Sequence, residues 1–441
     1  MSDLKVVKFG GSSLADAEHF RRAADIILAD PARRYVVPSA PGRRSPGDEK
    51  VTDLLYSCYD AASHGENINL RFEHIANRFR GIIEDLGLTI SLEDDFETMR
   101  RAFMHKAGRD YAASRGEYLN GRIMSAFLGY DFIDAADVIF FRDDGTFDAE
   151  RTNDVLGARL KEHERAVIPG FYGSMPNDTL KTFSRGGSDI TGSIVARAAE
   201  CDLYENWTDV SGFMMADPRI VKDPLPIDVV TYRELRELSY MGAGVLHEES
   251  IFPVRFAGIP INIRNTNDPS AEGTMIVPDA PADRNVITGV AGKKGFSVIT
   301  VDKDLMNSEV GFGRRMLSVL EREKINFEHL PSGIDTMSVI VATSVLEGRR
   351  ERIIDEMCDL LNPDSIQIDD NMALIAVVGR GMKKAPGTAA RVFKAVGSVG
   401  VNIRMIDQGS SELNIILGIE EKDFEKATNA IYSEFVRDNT K

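Results

Sequence analysis

One tryptophan and three cysteines are all that 441 residues contain of those two types. Cys58, Cys201 and Cys358 are odd in number, widely scattered and without metal-like spacing, which argues against a disulfide framework and for reduced thiols in a cytoplasmic protein. Neither G-x-x-x-x-G-K-[ST] nor G-x-G-x-x-G occurs, so the two commonest nucleotide fingerprints are missing. No apolar run approaches membrane-spanning length and the first residues alternate charge with apolar side chains; neither a transmembrane helix nor a signal peptide is expected. Positive charge is in deficit too. The net charge of −16 opposes nucleic acid and anionic membranes as partners, while leaving room for a locally basic cleft.

What is present is a hydrophobic content of 43%, enough for the cores of two or three domains. Up to about residue 265, short β-rich runs (Leu4 to Phe9, Tyr35 to Val37, Ala166 to Ile168, Ile259 to Ile263) alternate with helical stretches such as Ala15 to Leu28 and Arg71 to Leu86. That alternation predicts an α/β sandwich with a mostly parallel sheet. Residues 265–285 are rich in Asn, Asp, Pro, Ala and Gly, which predicts loop and a domain boundary, with a second domain from about Val286. The C-terminal part repeats itself: Gly311 to Val341 aligns without gaps on Gly387 to Leu417, pairing Arg315 with Arg391 and Asn326 with Asn402. Each copy reads strand, glycine-led helix, strand, turn, strand, helix, a ferredoxin-like βαββαβ pattern.

Three segments carry candidate chemistry. Lys8-Phe9-Gly10-Gly11-Ser12-Ser13 follows the first strand. A lysine and two glycines entering a helix start let backbone N–H groups, a helix dipole and an ammonium converge on an anion, although a plain turn would look the same. Ser184 to Asp189 is bipolar. Arg185 can fork onto a carboxylate, Gly186, Gly187 and Ser188 offer N–H donors, and Asp189 can accept from an ammonium, as an amino acid would require; Ser188 or Asp189 could equally be a helix cap. Thr208 and Asp209 close a strand, where ligands gather in α/β sheets, and Arg219 follows a proline-shaped turn that could aim it at phosphate. Glu117, after Arg115 and Gly116, reads either as a site residue or as a solvated first-turn carboxylate.

Taken in order, these segments, with Ser39-Ala40, Thr52, Gly170-Phe171 and Asp217-Pro218-Arg219, make the chain resemble the aspartate kinases of the amino-acid kinase family, followed by paired ACT domains. The resemblance implies an αβα kinase domain over residues 1–285, a first ACT domain over 296–366, and a second over 370–441 completed by strand 286–295, the first copy being inserted in the second. It implies transfer of the ATP γ-phosphoryl group to the β-carboxylate of L-aspartate, the first step of lysine, threonine and methionine biosynthesis, with magnesium entering on the nucleotide. Lys8 and Asp189 would be catalytic, Lys8 on the γ-phosphoryl group. Gly10, Gly11 and Ser12 would cradle phosphates; Thr208, Asp209, Met214, Arg219 and Gly244 would hold the nucleotide. Arg185 would take the α-carboxylate of aspartate, with Ser39, Thr52, Glu117, Phe171, Gly186, Gly187 and Ser188 lining the same pocket.

In the regulatory part the resemblance implies an amino-acid effector among Met306, Ser308, Gly311, Phe312, Asn326, Phe327, Glu328 and Ser332. A cationic effector suits Glu328, which favours lysine over threonine. The ACT copies would pair in a homodimer or a dimer of dimers. The sequence departs from the family where Gly242-Ala243-Gly244-Val245-Leu246-His247-Glu248 stands for Gly-Ala-Lys-Val-Leu-His-Pro. A cation near the nucleotide is missing, with Arg219, Lys222 or Lys50 available to replace it. Met214 stands where a tyrosine is common, and Pro38 and Pro41 stiffen a neighbouring loop. A kinase of another acidic amino acid, or a sensor with a decayed kinase pocket, are the alternatives.

Overall fold

The computed structural model describes residues 4–184, 186–244, 246, 248–281 and 285–436. The chain divides into two compact units. The first comprises residues 1–213, 226–232 and 244–280; the second comprises 214–225, 233–243 and 281–441.

The first unit is built on β1 (Lys5–Phe9), β2 (Arg33–Pro38), β3 (Asp131–Phe132), β4 (Ala166–Val167), the hairpin strands β5 (Tyr172–Ser174) and β6 (Leu180–Thr182), β7 (Leu203–Thr208), β8 (Val229–Thr231), β9 (Ile261–Asn265) and β10 (Thr274–Val277). Among the described residues, eight of these form one sheet in the order β3-β4-β2-β1-β7-β9-β10-β8. Every pairing is parallel except β9 with β10. Such a sheet needs apolar residues on both faces, which is why Val6, Val7 and Phe9 of β1 are wholly buried. The helices Ala17–Leu28, Val51–Ser63, Asn69–Leu86 and Arg109–Leu128 supply Phe20, Leu55, Phe72, Phe79 and Leu119 to the same core. β10 lies inside the stretch predicted as loop. Its Thr274 is buried because the hydroxyl is consumed, donating to the Ile227 carbonyl at 2.6 Å and accepting from the Phe213 amide at 2.8 Å.

The second unit carries β11 (Gly289–Asp302), β12 (Thr336–Ala342), β13 (Ser365–Val378), β14 (Ile403–Asp407) and β15 (Asn414–Glu420), in the order β12-β11-β13-β15-β14. The repeat seen in the sequence is realised in its helices, Phe312–Arg322 and Thr388–Ser398, which start at equivalent positions. Each is capped by a glycine in the left-handed region, Gly311 at φ 81° and Gly387 at φ 88°, a conformation that favours a residue without Cβ. β11 and β13 are both 14 residues long and run antiparallel. The first part of β11 pairs with 374–378 and its second part with 365–372; β12 extends the latter and β15 the former. The two motifs therefore share two continuous strands.

Candidate active site

β1 ends at Phe9 and the chain turns through Gly10 into the short 3₁₀ segment Gly11–Leu14. Gly10 donates its amide to the Trp207 carbonyl on β7 at 3.0 Å, and Ser39, just past β2, donates to the Phe9 carbonyl at 3.1 Å. The glycine turn is thus clamped from both neighbouring strands at their carboxyl ends, where open α/β sheets bind ligands. Gly11 has no room for a side chain, because a Cβ there would lie 2.8 Å from the Ala40 carbonyl oxygen.

Lys8 is buried, its side chain 8% exposed, and its Nζ stands 2.6 Å from Asp189 Oδ1. The same oxygen accepts from Asn206 Nδ2 at 2.9 Å, so the carboxylate is fixed by β1 and β7 together. Asp189 lies in the first turn of the helix Gly187–Ala198, whose N-cap is Gly186 at φ 76° with no side-chain cap bond. Neither Ser188 nor Asp189 caps that helix. Gly187 passes so close to Phe171 that a Cβ would fall 2.2 Å from Cδ2 of the ring, and a Cβ on Gly170 would fall 2.8 Å from the Ser188 side chain. Phe171 itself sits at φ 83°, held by its amide donating to Thr191 Oγ1 at 2.9 Å.

Glu117 is not a solvated first-turn residue. It lies within the helix Arg109–Leu128, among Ala112, Ala113, Ser114 and Gly116, whose small size lets the helix pack close and bury the carboxyl. Burial pushes its pKa up to about 8, against the opposing pull of the Ala40 amide and of Arg115. Oε2 has no protein partner. Arg115 is stacked against the rings of Tyr111, Tyr118 and Tyr172.

These groups line one open cavity of about 1190 Å³: Lys8, Gly10, Gly11, Ser12, Ser39, Thr52, Glu117, Phe171, Gly186, Gly187, Ser188, Asp189, Thr208 and Asp209. Arg185 lies outside the described residues, as does His247. Gly244 is exposed and does not line the cavity, and Met214 and Arg219 belong to the second unit, where Arg219 is spent on Asp217 at 2.6 Å. Sequence reasoning missed Arg43, Asp53 and Tyr56 in the lining, and Asn120, fully buried, which donates to the Ser39 carbonyl at 2.6 Å. A signal existed only for Asn120, one turn beyond Glu117 with Gly116 and Gly121 around it.

The arrangement offers a glycine turn for phosphate, a buried ammonium beside it, and a buried carboxyl with an unpartnered oxygen. Residues 3–265 match the amino acid kinase family and residues 375–435 match an ACT domain. Aspartokinase 3 of Bacillus subtilis is 40% identical over 98% of both chains. The chain belongs to the aspartokinase family. The aspartate kinase of Clostridium acetobutylicum, described as an allosteric enzyme, is 51% identical with a TM-score of 0.90, covering 98% of this chain and all of that one. Two structures of Escherichia coli aspartokinase III are each 25% identical and cover 98% of this chain, with 100% and 99% of their own chains covered. One is in complex with aspartate and ADP, in the R-state, at a TM-score of 0.75. The other is in complex with lysine and aspartate, in the T-state, at 0.74. The mostly parallel sheet and the C-terminal βαββαβ repeat are thus those of an aspartokinase.

The residues expected to take an effector lie in the second unit. Met306 and Phe312 are buried in its apolar core with Met316, Val339 and Leu346, so their side chains serve packing there. Asn326, Phe327, Ser308 and Ser332 are exposed. Glu328 is already engaged: the Tyr240 hydroxyl donates to its Oε2 at 2.5 Å.

Proposed function

We propose that the chain transfers the γ-phosphoryl group of ATP to the β-carboxylate of L-aspartate, giving 4-phospho-L-aspartate, under feedback control by lysine. The observation that carries this reading is the single cavity that joins the glycine turn, the Lys8–Asp189 pair and the buried, half-partnered Glu117. A carboxylate acceptor is already anionic and needs no general base, so positioning and charge neutralisation do the work. Lys8 neutralises charge on the transferred group while Asp189, itself fixed by Asn206, holds its ammonium in place. The Gly10 to Ser12 turn and Thr208 and Asp209 take the nucleotide. The Asp189 and Asp209 carboxylates in the cavity lining would be the groups available to hold a magnesium ion carried in on the phosphates, which would supply neutralising charge. The aspartate ammonium pairs with Glu117, Arg185 takes the α-carboxylate, and Ser39, Thr52, Phe171 and Ser188 shape the pocket around them.

Lysine inhibition is proposed at Glu328, whose carboxylate suits an ammonium, with Ser308, Asn326, Phe327 and Ser332 around it and Gly311 permitting close approach. The lysine complex of the E. coli relative supports that choice. The protein then acts in the cytoplasm at the head of lysine, threonine and methionine synthesis, paired through its ACT copies.

The test is acyl-phosphate formation trapped with hydroxylamine, with ATP and aspartate, with and without lysine or threonine. Product with aspartate and none with glutamate is the expected result. No product under any condition would overturn the reading.

A further inference from the structure

We propose that Arg43 is a phosphate ligand of the bound nucleotide, held at the glycine turn by the buried Arg78. This rests on the phosphotransfer reading and extends it to the source of positive charge. Asp53, Glu117, Asp189 and Asp209 put four carboxyl groups into the cavity lining, against Lys8, Arg43 and Lys50 among the described residues. Lys8 is already paired with Asp189. A polyphosphate needs further neutralisation in such a lining, and a guanidinium, with its planar fork of donors, is suited to phosphate oxygens. Among the described residues the Arg43 side chain has no ion-pair partner, whereas its neighbour Arg44 is spent on Asp48 at 2.8 Å.

The loop that bears Arg43 is fixed against the phosphate-binding turn. The Gly42 amide donates to the Gly11 carbonyl at 2.8 Å, and a Cβ on Gly42 would lie 2.5 Å from the Gly11 carbonyl carbon. Arg43 leaves the backbone one residue beyond that contact, which puts it at the phosphate end of the cavity. Arg78, its side chain 3% exposed, reaches up from the helix Asn69–Leu86 and grips both sides of the loop. It donates to the Gly42 carbonyl at 2.7 Å, to the Ala15 carbonyl at 3.2 Å and to Asp48 at 2.8 Å. Arg78 is not in the lining of this cavity and is a positioning residue for Arg43. A loop packed this closely, carrying a cation, supplies the positive charge that Gly244 does not.

The test measures KM for ATP and for aspartate, kcat, and the affinity for ADP alone by calorimetry. Arg43 is exposed, so its variants should fold, and thermal unfolding checks this. Arg43→Ala should raise KM for ATP and weaken ADP about 10- to 100-fold, the range of a charge-assisted contact, with KM for aspartate within about twofold. Arg43→Lys should recover part of the loss. Arg78→Lys should raise KM for ATP by itself but add little to Arg43→Ala, which a merely structural role would not produce. Unchanged ADP affinity in Arg43→Ala, or a change confined to aspartate, overturns the assignment. A wild-type protein without acyl-phosphate product would sink the phosphotransfer reading instead, and the ADP measurement would still decide Arg43.

Discussion

Glu117 accepts from the Ala40 amide and leaves Oε2 without a protein partner, so its proton is the simplest occupant of the empty side. An aspartate ammonium would replace that proton. With the carboxyl held near pH 8, substrate binding should release a proton below that pH, and KM for aspartate should fall as pH rises toward 8 and then level. Glu117→Gln should raise KM for aspartate about 10- to 100-fold and flatten the profile; calorimetry in buffers of different ionisation enthalpy reads the proton directly. An unchanged profile in the variant would remove Glu117 from the ammonium site. Gly187 makes a second prediction at this scale. A methyl group there must displace Phe171, so Gly187→Ala should cut kcat/KM for aspartate by more than about tenfold while ADP affinity is kept. Lys8 and the glycine turn were legible in the sequence because strand, lysine and glycines are consecutive. Arg43 and the burial of Glu117 were not, because each depends on a partner far along the chain, Gly11 and Ala40, and Asn120 left only the small-residue setting of its helix as a signal.

At the scale of elements, the 233–240 part of the helix Tyr232–Tyr240 is fastened to the rest of the second unit by its own side chains. Glu234, fully buried, pairs with Arg380 at 3.0 Å and accepts from the Thr288 hydroxyl at 2.6 Å; Glu237 accepts from Asn414 at 2.6 Å; Tyr240 ends on Glu328. An effector ammonium at Glu328 competes with the Tyr240 hydroxyl for Oε2. Tyr240→Phe removes the competitor, and lysine should then inhibit at about tenfold lower concentration, the worth of one hydrogen bond to a charged group. An unmoved inhibition curve would separate Glu328 from effector binding. The glycine-led helices of both copies were predictable from the repeat, since each glycine is a local requirement. The continuity of β11 and β13 was not, because periodicity describes a strand segment and says nothing of whether the next segment bends away.

Over the whole molecule, two carboxyls bend the stability curve in opposite directions. Asp48, gripped by Arg44 and with Arg78 beside it, has its pKa lowered from 3.8, so its contribution is present above that value and lost as pH falls below it. Glu117, raised from 4.5 to about 8, keeps a proton in the folded chain that the unfolded chain has released across that window. Stability should therefore fall as pH rises from about 4.5 to 8, by on the order of a few kcal/mol. Thermal unfolding of the ligand-free protein should show Tm declining across that range, with Glu117→Gln markedly flatter. Equal slopes would mean that the carboxyl is not held protonated.

The shared strands have a consequence for synthesis. Lys293 of β11 pairs with Leu374, 81 residues further along, and Gly289 with Val378. At ribosomal rates of about 5–20 residues per second, that half of β11 waits roughly 4–16 s for its partner. During the wait it is an unpaired edge, the kind of segment on which nascent chains aggregate. Gly292, Lys293, Lys294 and Gly295 occupy the middle of the strand, and a stretch of paired lysines flanked by glycines is poor material for such association. The charge that looks unremarkable in the finished sheet is protective while the sheet is half made.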